Sequence, residues 1–401
     1  MSMNPAPAMR AAIPEPYRVL FPMGVAYALA GALVWPLFAV GWIGYPGPLH
    51  MQLMIEGFEL CFVMGFFLTA MPAFTHGPKC RPGELWVAGI CAALFGGCAL
   101  AGLAPAAHAA FAVGAGSLLV AGGRRAWRNP APPPEEFQFV GLGLVFGVAG
   151  GALLAATSAG WIFEPVPRLG IHLVSLGMIL SLVLGLGGLL VPTFTMMPGP
   201  LVIPWVAAPG QRRPRRLLYA PLAAALVAAF VLEALGQGVA AAWVRAGVAT
   251  VLLLLVWKLF RLPGKRDASG FAMWGSGWLV LAGLWAAALD PGRGIAAYHL
   301  VFVGGYGLLT MGIATRVVVT HGGYPLAQER RLLHPLAALG VVAALAARLA
   351  AEFEVGRDSR AYVVLLGVSG AAWTLAWLWW AGQAAGPILH RRRISLEVGP
   401  K

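Results

Sequence analysis

Three segments of this chain share one pattern: LHMQLMIEGFELCFVMGFFLTAMPAFTHG at Leu49–Gly77, IHLVSLGMILSLVLGLGGLLVPTFTMMPG at Ile171–Gly199, and YHLVFVGGYGLLTMGIATRVVVTHGG at Tyr298–Gly323. Each opens on a histidine, runs through an apolar, glycine-bearing stretch, and closes near a threonine followed by His or Met. A bilayer core of about 30 Å takes about 20 mostly apolar helical residues, so each segment is long enough to cross a membrane. His50, His172 and His299 stand 122 and 127 residues apart, a period that points to internal repetition.

Outward from these segments the chain stays apolar. Of its 401 residues 59% are hydrophobic and 11% charged, which excludes an ordinary soluble multidomain protein. Twelve spans are expected, at residues 20–42, 51–75, 84–103, 106–123, 137–159, 169–196, 216–235, 237–259, 271–289, 295–319, 333–351 and 361–383. The three histidines are then four spans apart. The expected fold is an all-α integral membrane protein of twelve transmembrane helices in three pseudo-repeated four-helix units, 19–123, 137–259 and 271–383. An N-terminal tail (1–18) and a basic C-terminal tail (384–401) flank them. No small-residue cleavage site precedes the first span, which is read as retained.

The net charge of +13 does not indicate nucleic acid, because the basic residues sit in short clusters between apolar runs. With both termini cytoplasmic, 22 of the 28 Lys and Arg fall on the inner side. The outer side keeps Arg168, Arg245, Arg293, Arg348, Arg357 and Arg360. This orientation puts His50, His172 and His299 at the outer ends of inward-running helices. The four cysteines form no CxxC and imply no disulfide framework.

One histidine near a span end reads first as an interfacial residue. Three at matched depth are what a buried haem or metal centre needs, because ionisable side chains in spans are costly and face a bundle interior. Glu56 and Glu59 in the second span carry the same cost. At 100° per residue they share a side with Gln52, away from His50. They are candidates for a proton path or cation site, against a protonated pair bonded to neighbouring helices.

Met178, Met196, Met197 and Met311 suit copper(I) but read first as core. His76 and Cys80 form a weak soft-metal pattern, with Pro78 between them. Arg316 is expected to snorkel or cap its helix, Glu233 to be interfacial, and His108, His334 and His390 to be structural. Gly304, Gly305 and Gly307 allow close approach of a helix or a planar macrocycle. Pro130–Glu136 reads as a stiff linker. No Walker, GxGxxG or HExxH motif is placed where it could work.

These segments resemble the NnrS family of bacterial inner-membrane proteins, most specifically in His50–Gly77 with its GFFLTAMP core, and in Thr315-Arg316-Val317 followed by His321, Gly323, Pro325 and Leu326. The resemblance implies a haem- and copper-containing protein of nitric oxide metabolism, nitrogen-oxide stress or denitrification, in the bacterial cytoplasmic membrane. It implies haem b, copper as a second metal, and nitric oxide or a redox protein as partner beside membrane lipids. Many members carry His-x-His-Glu at the start of the second span. Here Gln52 and Leu53 replace the second His and the Glu. A more distant likeness is to the twelve-span catalytic subunit of haem-copper oxidases and nitric oxide reductases. That likeness makes His50 and His299 the axial haem pair and His172 the copper ligand. The seventh span lacks the paired histidines, and Ala297 stands where a high-spin haem ligand would be, so the reductase-type centre is incomplete and no reaction is assigned. A haem at this depth would turn its propionates to the outer surface, where Arg168 and Arg293 are the candidate partners. The alternative is a twelve-span secondary transporter, or a metal or haem assembly factor, using Glu56 and Glu59.

Overall fold

A computed structural model describes residues 14–128, 133–161, 166–196 and 216–390. The expectations for Arg10, Met197, Arg212, Arg213, Arg215, residues 130–132 of the proline linker and the chain from 391 onward lie outside them. All regular structure among the described residues is helical, and twelve helices are long and apolar enough to cross a membrane. They are α1 (Pro16–Ala39), α2 (Gly47–Thr75), α3 (Pro82–Leu100), α4 (Ala104–Trp127), α5 (Phe137–Ser158), α6 (Arg168–Phe194), α7 (Leu217–Ala234), α8 (Gly238–Leu255), α9 (Ala268–Leu289), α10 (Pro291–His321), α11 (Pro335–Glu354) and α12 (Ser359–Leu389). The chain is a multi-pass membrane protein.

Hydrophobicity alone misplaces some ends. α12 continues past Gln383 to Leu389, with Ala384, Pro387 and Ile388 buried beyond that polar residue. α8 stops at Leu255, and Trp257 and Leu259 then turn into the core as irregular chain.

The helices form two layers. α2, α6 and α10 are 89%, 94% and 72% buried over their most apolar windows, against 28–56% for the other nine. The nine pack as a ring around these three: α12 lies on α1, α1 on α3, α3 on α4, and so on to α11 on α12. Each inner helix is the second of four in chain order. The inner three run parallel and meet pairwise: α2 reaches α10 where Thr310 donates to Glu59, α10 reaches α6 where Tyr306 donates to the Ser175 carbonyl, and α2 and α6 pack directly.

All three inner helices widen at the same place. π-helical stretches cover Gln52–Glu59, Leu173–Ile179 and Leu300–Gly307, beginning at or just after the histidine in each case. A π turn keeps its backbone hydrogen bonds inside the helix while shifting the side chains that follow it, and such turns concentrate at functional sites.

Glycine permits close packing around these stretches. On α5, a Cβ at Gly143 would stand 2.9 Å from the Met178 carbonyl oxygen and 3.0 Å from Ser181 Cβ of α6. A Cβ at Gly150 would stand 2.9 Å from the Gly170 carbonyl oxygen. On α10, Gly305 makes room for Val280 of α9 and Gly307 for Trp373 of α12, so these glycines admit neighbouring helices. Met178 and Met311 are fully buried in the core.

Ion pairs close the end remote from the histidines. Arg125, buried on α4, donates to both Glu84 oxygens (2.9 and 2.7 Å) and to the Pro78 carbonyl (3.0 Å), fixing the loop between α2 and α3. Arg316, expected to snorkel or cap, pairs with buried Glu329, which also holds Lys265, and lies over the Phe194 ring at 4.6 Å.

Gly143→Val is expected to cost about 1–3 kcal/mol by overpacking α5 against α6. Gly141→Val, on the same helix where an added Cβ meets nothing within 4 Å, is expected to be neutral. Thermal unfolding of the two variants in one detergent checks this, and equal melting temperatures would show that the α5–α6 approach does not need glycine.

Candidate functional site

The site is built at the end of the bundle where the inner helices begin. Pro46, Gly47 and Pro48 start α2, and its first turn delivers His50. The His50 Nδ1 lies 2.7 Å from the carbonyl oxygen of Gly31 on α1, and His299 Nδ1 lies 2.7 Å from the carbonyl oxygen of Ile295, one turn back on α10. A carbonyl only accepts, so in both rings Nδ1–H donates and the tautomer is fixed. That leaves each Nε2 lone pair without a hydrogen-bond partner among the described residues. The Trp35 edge sits against the His50 ring at 5.4 Å between centroids. The two rings lie within electrostatic range of each other, and the Arg348 guanidinium of α11 lies within range of both.

His172 belongs to a neighbouring cluster. Its Nδ1 bonds Glu233 of α7, and Glu233 pairs in turn with Arg245 of α8, which lies over the Phe230 ring at 5.3 Å. Tyr298 packs its ring on His172 at 5.6 Å and links this cluster to His299, the next residue. A carboxylate on Nδ1 orients an imidazole and raises the basicity of Nε2. Glu233, one residue from the end of its span, is buried against these partners, 7% exposed. Among the described residues no three His, Cys, Asp or Glu side chains gather as a metal-ligand set; His172 is held by Glu233, whereas His50 and His299 lie within electrostatic range of each other.

The intramembrane carboxylates have partners of their own. Gln52 donates to His108 Nε2 (3.2 Å), and His108 Nδ1–H donates to Glu56 (2.8 Å), all three buried. His108, which its position at a span end marks only as structural, thus supplies the hydrogen bond that buried Glu56 requires. Glu59 goes elsewhere: it accepts from Thr310 of α10 at 3.1 Å. Gln52 and Glu56 share a side, whereas the wider turn of the π stretch carries Glu59 toward a different helix.

Arg293 is exposed and 3.8 Å from Asp290, and Arg168 is exposed, near Tyr298. Arg348, which the sequence marks only as one of six outer-side arginines, pairs with Glu352 at 3.4 Å and also lies within electrostatic range of both imidazoles. His76 ends its helix in the left-handed conformation (φ 48°), and its neighbour Cys80 is a free thiol that burial and nearby Glu84 push up to about 11.

Two imidazoles with free Nε2 atoms, on parallel inner helices and beside a guanidinium, can hold a group that takes two axial nitrogen ligands. Over residues 11–393 the chain matches a family model described as NnrS protein. The chain belongs to the NnrS family. No curated protein matches it. The NnrS match covers all twelve helices, including the histidines and every partner named above.

His108→Leu leaves Glu56 buried without its partner and is expected to cost about 3–5 kcal/mol, most of it recovered in Glu56→Leu/His108→Leu. Thermal unfolding of the three variants measures the coupling, and additive losses would mean that the pair is not a unit. For Cys80, a thiol titrating near 11 is almost wholly neutral at pH 8. With the other three cysteines replaced, its alkylation at that pH is expected to run about a hundredfold slower than that of an ordinary thiol and to rise with pH.

Proposed function

We propose that this NnrS-family protein binds haem b between His50 and His299 and acts in nitric oxide or nitrogen-oxide metabolism in the bacterial cytoplasmic membrane. The observation that carries the reading is the matched tautomer of the two rings: each Nδ1 is engaged by a backbone carbonyl, and each Nε2 is left to ligate. The donor set fits a six-coordinate haem iron, which takes two neutral imidazole nitrogens. When bound, the haem supplies a one-electron redox centre.

The chain's own residues do the rest. Gly31 and Ile295 hold the imidazole tautomers, Trp35 restricts the His50 ring, and the cations at this end that a haem carboxylate can meet are exposed Arg168 and Arg293, with Arg348 held by Glu352. Copper enters through His172, a single ligand oriented by Glu233. The excess of Lys and Arg at the opposite end supports cytoplasmic termini and an outward-facing histidine end. A threefold arrangement of four-helix units is supported by the recurrence of one inner helix, one histidine and one π stretch in each. Glu56 and Glu59 each have a dedicated partner, which favours held carboxylates over the open cation site of a transporter.

Reduced-minus-oxidised absorption spectra of protein expressed with ample haem test the assignment. Wild type is expected to show the Soret and α bands of a bis-imidazole haem. His50→Ala and His299→Ala are expected to lose them and His172→Ala to keep them. Absence of the bands in wild type refutes haem binding, and equal loss in all three variants makes His172 part of the same centre.

A further inference from the structure

At the end of the bundle remote from the histidines, α2, α3, α4 and α5 enclose an open groove of about 960 Å³, near the upper end of the range for small-molecule sites, about 300–1,000 Å³. Its wall is aliphatic, with Leu68, Val87, Val113, Val120 and Val148, and Gly116 keeps its floor low. Its mouth is not. Arg81, Glu84 and Arg124 line it where α3 begins and α4 ends.

The charges at the mouth do not cancel. Glu84 is held by Arg125 from behind through both oxygens and by Arg124 from the side. Arg124 Nε is buried with no hydrogen-bond partner. The Arg81 side chain is exposed and has no ion-pair partner among the described residues. Three guanidinium groups against one carboxylate leave the mouth positive. Its depth is marked independently by Trp86 and Trp127, 71% and 92% exposed on the first turn of α3 and the last turn of α4. Tryptophans with that exposure on a membrane helix sit at headgroup level.

We propose that this groove seats one acyl chain of an anionic phospholipid, with its phosphate held by Arg81 and Arg124. A soluble anion has no use for the aliphatic trough, and a neutral isoprenoid has none for the two cations. The trough opens sideways to hydrocarbon, and the cations stand at the level where phosphates lie, the arrangement by which basic pockets between membrane helices select acidic lipids. The lipid fills the seam where α3 and α4 lean on α2 and α5, and its phosphate meets exposed Arg81 and the exposed part of Arg124.

Native mass spectrometry of the full chain in mild detergent, with phosphatidylglycerol or phosphatidylcholine of identical acyl chains added, tests the site. Wild type is expected to retain one phosphatidylglycerol about tenfold or more over phosphatidylcholine. Arg81→Gln, which removes an exposed guanidinium without an ion-pair partner and leaves the fold intact, is expected to lose most of that preference. Gly116→Phe fills the trough at a position where a Cβ meets only Val148, at 3.6 Å, and is expected to abolish retention of both lipids. Equal retention of the two lipids by wild type, or unchanged retention in Gly116→Phe, overturns the proposal. Displacement of phosphatidylglycerol by inorganic phosphate at comparable concentration overturns it as well, since the mouth then recognises a free anion.

Discussion

Hydrocarbon offers no hydrogen-bond partner, so every polar group carried into the bundle has to be satisfied by the protein. That constraint makes the chain helical throughout its spans and decides where its few polar side chains can be. They concentrate on α2, α6 and α10, the three helices with least lipid exposure, or on the ring helices where these face them. The buried carboxylates and His50 have partners on other elements: Glu56 in His108, Glu59 in Thr310, Glu233 in His172 and Arg245, and His50 in a carbonyl of α1. With their Nδ1 atoms engaged, His50 and His299 each keep an Nε2 lone pair, and the proposed haem site uses these two.

The π-helical stretches reconcile that requirement with close packing. An ordinary helix sends residues four apart to one face, and Glu56, Glu59 and the histidine above them would then be fixed on the stripes a wheel assigns. Widening the helix lets Glu56 meet α4 while Glu59 meets α10. The glycines of α5 and α10 let the neighbouring helices follow the wider contour. The same distortion after His50, His172 and His299 indicates that one local solution serves all three inner helices.

Much of this is legible in the residues themselves. Span length and apolarity locate the twelve helices, and the period of His50, His172 and His299 picks out the three that lie inside. The partners are not legible. His108 is 52 residues from Glu56, and Glu233 is 61 from His172, and no local periodicity links residues whose meeting depends on how helices pack. Arg348 looks like any outer-side arginine until α11 is laid against α10. Arg168 and Arg293 stand close to the histidines along the chain, whereas Arg348 comes within electrostatic range of them from the neighbouring helix. The Glu56–Glu59 relation fails for a different reason: a wheel at 100° per residue assumes an α-helix where the chain forms a π-helix.

The central claim is that two imidazoles, one from α2 and one from α10, ligate a single iron. Electron paramagnetic resonance of the oxidised, haem-loaded protein at low temperature tests it most directly, because spin state reports the axial ligands. The expected result is the low-spin ferric signal of two axial imidazoles, replaced by a high-spin signal when either His50 or His299 is changed to alanine. A wild-type protein that carries haem and gives only the high-spin signal would contradict the account.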